Sequence, residues 1–283
     1  MRHMVNLANL GLIISKQTKD EWAVLVTDSI CGHKACAAYD INYLSPLYIY
    51  PNRQQKDMFS AQTHNLEGRV PNFQEAYIKE IASRLHITFV LDGRGDLEKT
   101  FGPEDIFHYM YAVFYSSSYI MRYSDFLKID FPRVSVTTRR ELFTGLVRKG
   151  AELVDLHLLR LPGGNGVGGN GGAAILVAPG QQGVSFPKAG TSVVDKIAYV
   201  APQVHEPGRV VINSTQYFAG VEPQTWEARI GGYQPLDKWL KDRKGRKLDS
   251  NDVLHYMRMV IALRETQRIM GEIDALIPRW PLE

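Results

Sequence analysis

Residues 138–157, TRRELFTGLVRKGAELVDLH, have the clearest periodicity in the chain. Apolar side chains recur there at intervals of three and four residues, which places them on one face of an α-helix. These positions are Leu142, Phe143, Leu146, Val147, Leu153 and Val154. Thr138 precedes Glu141 by the spacing of a capping box, which marks a helix N-terminus. We therefore predict a long amphipathic helix whose apolar face is buried.

The residues before this helix predict three more helices. Residues 72–85 begin with Asn72 and Glu75, again at the spacing of a capping box. Residues 102–115 carry a proline and two acids in the first helical turn, where both are favoured. Residues 119–129 continue the helical pattern and end before a proline.

Short apolar runs between turn residues predict strands elsewhere. They cover residues 10–15, 21–30, 41–51, 173–179, 195–201, 208–221 and 225–233. Residues 251–277 close the chain with a long amphipathic helix. The fold class predicted is α+β, with a mixed strand and helix part over 1–160 and a strand-rich part, closed by the long helix, over 174–283.

A glycine-rich run, LPGGNGVGGNGGAA, occupies residues 161–174. A phosphate-binding loop would need a strand before it and a Gly-Lys-Ser/Thr sequence that opens a helix. Here a predicted helix comes before the run and a predicted strand follows it. We therefore interpret 161–173 as a flexible connector between the two parts.

Composition narrows the class of protein. The chain has 283 residues, of which 45% are hydrophobic and 22% charged, with a net charge of +3. Those proportions are typical of a globular protein, and no apolar run reaches the ~20 residues of a membrane span. We expect a cytoplasmic protein with no membrane partner. Cys31 and Cys36 bracket His33 without a second ligand pair, so we expect no metal site.

The sequence lacks the motifs of several enzyme classes. It has no Pro-Pro pair, so the Asn-Pro-Pro-aromatic motif of amino-methyltransferases is missing, and it has no Gly-x-Ser-x-Gly elbow. Asp237, Asp242 and Lys244 are the nearest approach to a nuclease triad, but they lie inside a basic run that would bind a phosphate backbone far more readily than two crowded carboxylates would hold Mg²⁺. We expect no catalytic residue in this chain.

That basic run is the strongest concentration of charge in the sequence. It contains Lys238, Lys241, Arg243, Lys244, Arg246 and Lys247. Such a run is either a solvated face or a surface that contacts the phosphate backbone of a nucleic acid. We interpret Trp239, within the run, as a core anchor, since duplex DNA offers no free base face for stacking.

Three stretches together resemble one family: residues 2–17, 102–134 and 211–248. The combination of DFPR at 130–133 with GGYQ and KWLKDRKGR after residue 230 is specific. The sequence is similar to the C-terminal target-recognition region of type ISP restriction–modification enzymes. These are large single-chain enzymes that also carry a nuclease, a helicase-like ATPase and an N6-adenine methyltransferase.

The resemblance implies sequence-specific recognition of double-stranded DNA for an adenine-N6 methyltransferase whose catalytic regions lie upstream of this chain. Its partners would be the duplex and the upstream methyltransferase domain of the same polypeptide. S-adenosylmethionine, ATP and Mg²⁺ would serve only the full-length enzyme, and this chain would hold no cofactor. The alternative is a stand-alone specificity subunit that docks on a separate methyltransferase through the helix at 251–277.

Recognition needs phosphate contacts that set the register and other side chains that read base edges. The basic run suits the first task. Candidates for the second lie on predicted loops: Lys16, Gln17, Arg53 to Lys56, Arg133, Arg139, Arg140 and the segment 181–188. Arg139 and Arg140 stand at the start of a predicted helix, where cations are disfavoured unless an anion approaches. They are either phosphate contacts or solvated side chains.

The connector hypothesis predicts that shortening residues 163–172 leaves the melting temperature nearly unchanged. Loop-closure entropy varies slowly with length, by about 0.6 kcal/mol for each doubling. Thermal unfolding of the shortened and parent chains measures the difference. A loss of several kcal/mol would show that the run is packed against the rest of the protein.

Overall fold

A computed structural model describes residues 2–37, 39–51, 68–160, 165–167, 173–175 and 183–282. The chain forms two compact units. The first comprises Met1–Leu158 with Ile269–Glu283, and the second comprises Leu159–Arg268. The predicted α+β class is confirmed.

Strands and helices occur in blocks along the described residues. The helices are α1 (Glu75–Leu85), α2 (Pro103–Phe114), α3 (Ser117–Arg122), α4 (Ser124–Leu127), α5 (Arg140–His157), α6 (Pro223–Glu227), α7 (Pro235–Lys241) and α8 (Ser250–Leu276). The strands are β1 (Gly11–Ser15), β2 (Val24–Thr27), β3 (Asn42–Pro46), β4 (Tyr48–Ile49), β5 (Val70–Pro71), β6 (Thr88–Phe89), β7 (Thr100–Phe101), β8 (Asn165–Val167), β9 (Ala173–Ile175), β10 (Val184–Phe186), β11 (Ala198–Val200), β12 (Arg209–Val211) and β13 (Tyr217–Ala219).

A three-stranded antiparallel sheet opens the first unit, in the order β2-β1-β3. Ile13 in the central strand lies opposite Leu25 on one side and Leu44 on the other. Every residue of β1 is buried, as expected for a continuous apolar run in the middle of a sheet. Two-stranded pairs, β4 with β5 and β6 with β7, lie in the same unit.

Helices α2 and α5 form the core of the first unit. The six apolar positions predicted for the face of α5 are all buried. Gly150 allows the two backbones to approach, because a Cβ at this position would collide with the carbonyl group of His108 in α2. A glycine in mid-helix usually destabilises the helix, so here the close packing explains its presence.

Asp274 ties the end of α8 to the first unit. Its carboxylate accepts hydrogen bonds from the hydroxyl groups of Ser116 at 2.6 Å and Ser118 at 2.9 Å. It also accepts the backbone N–H of Ser117 at 3.1 Å. These are charge-assisted bonds at the start of α3, where the free N–H groups of a helix need acceptors.

An antiparallel six-stranded sheet forms the second unit, in the order β11-β12-β13-β10-β9-β8. Its core combines apolar side chains of the strands with those of α7 and of the first half of α8. Phe218 of β13 packs against Tyr256 of α8 with ring centroids 4.3 Å apart. The predicted closing helix is therefore confirmed as an element whose apolar residues are used inside the protein.

Both predicted capping boxes are wrong. Helix α1 begins after Gln74, and the side chain of Asn72 instead donates to the carbonyl oxygen of Pro46 at 2.9 Å. Helix α5 begins after Arg139, which makes no side-chain cap. The spacing of a capping box is present at both helices. At α1, the side chain of Asn72 is bonded to Pro46 instead of capping the helix. At α5, the helix begins one residue later than the predicted cap at Thr138 requires.

Two predicted elements also differ in kind. Residues 119–129 form no single helix, because α3 ends at Arg122 and α4 begins at Ser124. The strand predicted over 225–233 is wrong: α6 ends at Glu227, and only an isolated bridge joins Ile230 to Tyr233. Proline at the first position of α6 favours a helix start that the β-prone residues concealed.

The predicted connector lies largely outside the described residues. Within it, 165–167 form β8, which pairs with β9. The first unit ends close to the expected boundary at residue 160, but it also includes Ile269–Glu283, which the sequence assigned to the second part. Flexibility of the connector stays a prediction.

Substituting Gly150→Ala should lower the free energy of unfolding by about 1–3 kcal/mol, since the new methyl group overpacks the contact between α2 and α5. This loss should exceed the ~1 kcal/mol that alanine gains in helix propensity. Urea unfolding followed by circular dichroism measures the change.

Gly271→Ala is the matched control, because a Cβ at Gly271 in α8 has no neighbouring atom within 4 Å. At Gly271 only the gain in helix propensity should act, so the free energy of unfolding should rise by up to about 1 kcal/mol. Stabilisation by both substitutions would contradict the close approach at Gly150.

Candidate nucleic-acid interface

The basic run of the sequence folds as the end of α7 and the turn that follows it. We call residues 243–247 the basic turn. Leu240 before it and Leu248 after it are buried in the core of the second unit. Gly245 has φ 79°, the left-handed conformation that glycine adopts without strain. The turn is therefore fixed at both ends and reverses direction at a glycine.

Backbone hydrogen bonds join the basic turn to a distant segment of the same unit. Gly245 N donates to Val194 O at 2.7 Å, and Val194 N donates to Arg246 O at 3.0 Å. Leu248 N donates to Ser192 O at 2.8 Å, and Val193 faces Lys247 in an antiparallel bridge. The turn is thus held as one edge of a short β-like pairing.

Three of the six cations in the run are engaged within the protein. Lys238 pairs with Asp242 at 2.8 Å, and Lys241 pairs with Asp237 at 2.6 Å. In both pairs the residues are four apart and the lysine is exposed, although Asp237 is half-buried, and such surface pairs are worth about 0.3–0.5 kcal/mol. Their main consequence is to neutralise the charge of these two lysines.

Arg243 has a structural position. Its guanidinium carbon lies 3.6 Å from the ring centroid of Trp239, and its Nε lies 3.3 Å from Asp252 Oδ1. A guanidinium stacked on an aromatic face and paired with a carboxylate is well held. Arg243 therefore ties the basic turn to α7 and α8.

Trp239 packs against the core of the second unit, which confirms its interpretation as an anchor. Its ring also lies against His255, with centroids 5.7 Å apart and an interplanar angle of 22°. Burial, and then the positive charge of Arg243, lower the pKa of His255. The lowered pKa keeps the imidazole beside the tryptophan mostly uncharged at pH 7.

Lys244, Arg246 and Lys247 differ from the other three cations. All three side chains are exposed. None makes a side-chain hydrogen bond or ion pair with any residue that the structure describes. The basic turn therefore presents three uncompensated positive charges on a rigid backbone.

The candidates in the first unit are not equivalent to one another. Lys16 and Gln17 are exposed just after β1, and Arg133 and Arg139 are exposed without a described side-chain partner. Arg140 donates to the carbonyl oxygens of Leu85 at 2.8 Å and Glu98 at 3.2 Å. Its guanidinium supports the fold, and a DNA contact by any of these residues stays a prediction. Residues 53–56, and 181–182 of the candidate segment 181–188, lie outside the described residues.

Sequence reasoning missed two exposed side chains that the pairing brings toward the basic turn. Thr191 and Lys196 flank the segment that is bonded to the turn, and both are exposed. They lie about fifty residues earlier in the chain, so no local pattern could signal this neighbourhood. Only the long-range bridge of Val193 with Lys247 places them there.

No group of three or more histidine, cysteine or acidic side chains in the described part of the chain is arranged to hold a metal ion. Among the described residues, no helix combines the length and apolar character that a membrane span requires. Cys31 and Cys36 are free thiols.

Three solved structures share this fold. The Type ISP restriction–modification enzyme LlaBIII bound to DNA matches with a TM-score of 0.61 and 15% identity, over 98% of this chain and 16% of that one. A nuclease-deletion mutant of the Type ISP enzyme LlaGI, with a DNA substrate mimic, gives 0.60 and 17%, over 98% of this chain and 22% of that one. The DrdV–DNA complex gives 0.63 and 19%, over 94% of this chain and 24% of that one. The chain thus spans less than a quarter of each.

A search of curated protein sequences finds no match. The family described as the Type ISP C-terminal specificity domain matches residues 1–272. This match extends through both units and includes the basic turn. The chain therefore belongs to the Type ISP C-terminal specificity domain family.

Proposed function

We propose that this chain recognises a specific sequence in double-stranded DNA, as the specificity domain of a larger restriction–modification enzyme that methylates adenine at N6. The observation that carries the proposal is the basic turn, in which Lys244, Arg246 and Lys247 are exposed and unpaired. Its context is a chain of the Type ISP specificity family whose structural relatives include DNA complexes.

The basic turn suits phosphate binding by its chemistry. Lysine and arginine that reach phosphate oxygens form charge-assisted hydrogen bonds and release condensed counterions from the duplex. A cation that is already paired within the protein contributes less, because binding DNA would have to break or share its ion pair. We therefore assign the phosphate contacts to the three unpaired side chains rather than to Lys238 and Lys241.

Rigidity favours the same role. The side chains of the turn must lose conformational freedom on binding, but its backbone is already fixed by hydrogen bonds at Val194 and Ser192. A preorganised backbone lowers the entropic cost of association. Phosphate contacts made from such a scaffold also fix the register of the protein on the duplex.

The alternative is a stand-alone subunit that docks on a separate methyltransferase through the closing helix. The apolar side chains needed for such a surface are already buried in this protein. Val253, Met257 and Val260 belong to the core of the second unit, and Ile273 is fully buried. This burial favours the first function over docking through the apolar face of α8.

The proposal places methyl transfer, ATP hydrolysis and cleavage outside this chain. The chain would need no S-adenosylmethionine, ATP or Mg²⁺, and its partners would be the duplex and the methyltransferase domain of the same polypeptide. For a restriction–modification system, the compartment that holds the duplex is the cytoplasm, and we propose that location.

Alanine substitution of Lys244, Arg246 or Lys247 should weaken binding to all duplexes alike. Each lost phosphate contact should lower the slope of log K against log [salt] by about one unit, because one fewer counterion is released. Titration of a fluorescent duplex at several salt concentrations measures the slope.

Lys238→Ala is the matched control, since Lys238 lies in the same run but is neutralised by Asp242. Its slope should stay near that of the parent chain. If Lys238→Ala lowered the salt slope as much as the substitutions in the basic turn, binding would depend on the net charge of the run and not on the unpaired cations. If no substitution in the turn changes the slope of a folded variant, the phosphate contacts lie elsewhere.

The isolated chain should transfer no methyl group to duplex DNA and should bind no S-adenosylmethionine. Transfer should fail because the Asn-Pro-Pro-aromatic motif is missing, so the target amine has no positioned acceptors. Cofactor binding should fail because the proposal assigns the S-adenosylmethionine site to the methyltransferase domain. Isothermal titration calorimetry and transfer of a radiolabelled methyl group test this, with an active adenine methyltransferase as the positive control. Tight binding of S-adenosylmethionine would contradict the proposal that the methyltransferase site lies outside this chain.

A further inference from the structure

A small exposed loop lies beside the basic turn in the second unit. Lys188, Ala189, Gly190 and Thr191 are all exposed, and we call them the 188–191 loop. The loop follows β10 and leads into the segment whose backbone is bonded to the basic turn. It combines a cation and a hydroxyl group with two residues that have almost no side chain.

A buried glutamine holds both ends of this loop. Gln216 is fully buried, and its Oε1 accepts the backbone N–H of Ser192 at 2.6 Å. Its Nε2 donates to the carbonyl oxygen of Pro187 at 3.3 Å. The two ends of the loop are therefore fastened to the two ends of one side-chain amide.

Asn213, also buried, orients this glutamine. Its Nδ2 donates to Gln216 Oε1 at 3.2 Å and to Val193 O at 3.0 Å. Its Oδ1 accepts the backbone N–H of Gln216 at 2.8 Å. Leaving one buried polar group without a partner costs about 1–3 kcal/mol, so a network of this kind selects a single loop conformation.

Gly190 seats the loop directly on the glutamine. Its φ is 132°, a backbone conformation that other residues rarely adopt. A Cβ at this position would collide with the side chain of Gln216. The close packing of Gly190 on Gln216 thus fixes the position of the loop on this side chain.

The 188–191 loop and the basic turn are close enough to meet the same stretch of duplex. Val193 faces Lys247 in the bridge, and adjacent strands lie about 4.8 Å apart. Thr191 is two residues from Val193, or about 7 Å of extended chain. This distance is shorter than the ~12 Å width of the major groove.

We propose that the 188–191 loop enters a groove of the duplex and reads base edges while the basic turn holds the adjacent phosphates. This inference rests on the proposed DNA-binding function and adds the element that gives specificity. Gln216 is a positioning residue: it touches no base and acts by fixing the loop.

The composition of the loop fits this task. Lysine donates to the O6 and N7 atoms of guanine, threonine can donate or accept at a base edge, and alanine contacts the methyl group of thymine. Glycine lets the backbone approach closely because it has no side chain. The Thr191 Oγ1 accepts a bond from Val193 N at 3.3 Å, which leaves its hydroxyl proton able to donate outward.

The test begins with the 283-residue chain and a randomised pool of duplexes, from which the preferred sequence is selected. Dissociation constants are then measured for that duplex and for a set with single base-pair changes. Lys188→Ala, Thr191→Ala and Gly190→Ala should each reduce the discrimination at one or two positions by about 10-fold or more. Thr191→Ser, which keeps the hydroxyl group, should retain the preference.

Gly245→Ala is the matched control, since Gly245 is also a glycine of positive φ in an exposed turn of the same unit. It should lower the salt slope or the overall affinity and leave the discrimination intact. Gly190→Ala and Thr191→Ala should instead reduce the discrimination between duplexes and leave the salt slope unchanged. Thermal unfolding confirms that each variant is folded, and if Gly190→Ala is not, the two exposed substitutions decide the outcome.

Uniform weakening of all duplexes by Lys188→Ala and Thr191→Ala, or no effect from either, would overturn the inference and leave the proposed DNA binding intact. Failure of the parent chain to prefer any duplex would instead overturn sequence recognition itself. The two failures are therefore distinguishable.

Discussion

Two backbone hydrogen bonds of Val194, to Gly245 and Arg246, hold together the surface on which the proposed function depends. They pair a segment that follows the sheet strand β10 with a turn that connects two helices. Without this pairing, the basic turn would be a flexible link and its cations would lose more entropy when they met a phosphate. With it, three charges and a neighbouring polar loop have fixed positions. The buried amides of Asn213 and Gln216 extend the same constraint to that loop.

Helical geometry determines which lysines of the basic run are paired with acids. Lys238 and Lys241 lie one turn from Asp242 and Asp237, so their charges are balanced inside the element. Lys244, Arg246 and Lys247 lie beyond the helix, have no such partner among the described residues, and repel one another on a turn whose backbone is hydrogen-bonded to residues 192 and 194. Such repulsion is relieved when an anion binds. The distribution of partners, more than the number of cations, therefore identifies the binding surface.

The first unit shows how tertiary contacts override local signals. The apolar periodicity of α5 predicted its buried face correctly, because helix periodicity and burial have one common cause. The capping boxes failed, since a capping side chain such as Asn72 makes whichever hydrogen bond the folded chain offers it. Arg140 likewise fills its donor groups with the carbonyl oxygens of Leu85 and Glu98. A local motif therefore indicates which hydrogen bonds a side chain can make, and the tertiary contacts determine which of them it makes.

The sequence by itself determined the α+β class, the helices with strong periodicity, the family resemblance and the position of the basic run. These properties depend on the order of nearby residues, which the sequence states directly. Only the tertiary structure decided that Lys244, Arg246 and Lys247 stay unpaired and that residues 188–191 lie beside them. The physical reason is that the bridge between Val193 and Lys247 joins segments far apart in the chain, and such pairing depends on the packing of the whole sheet and helices.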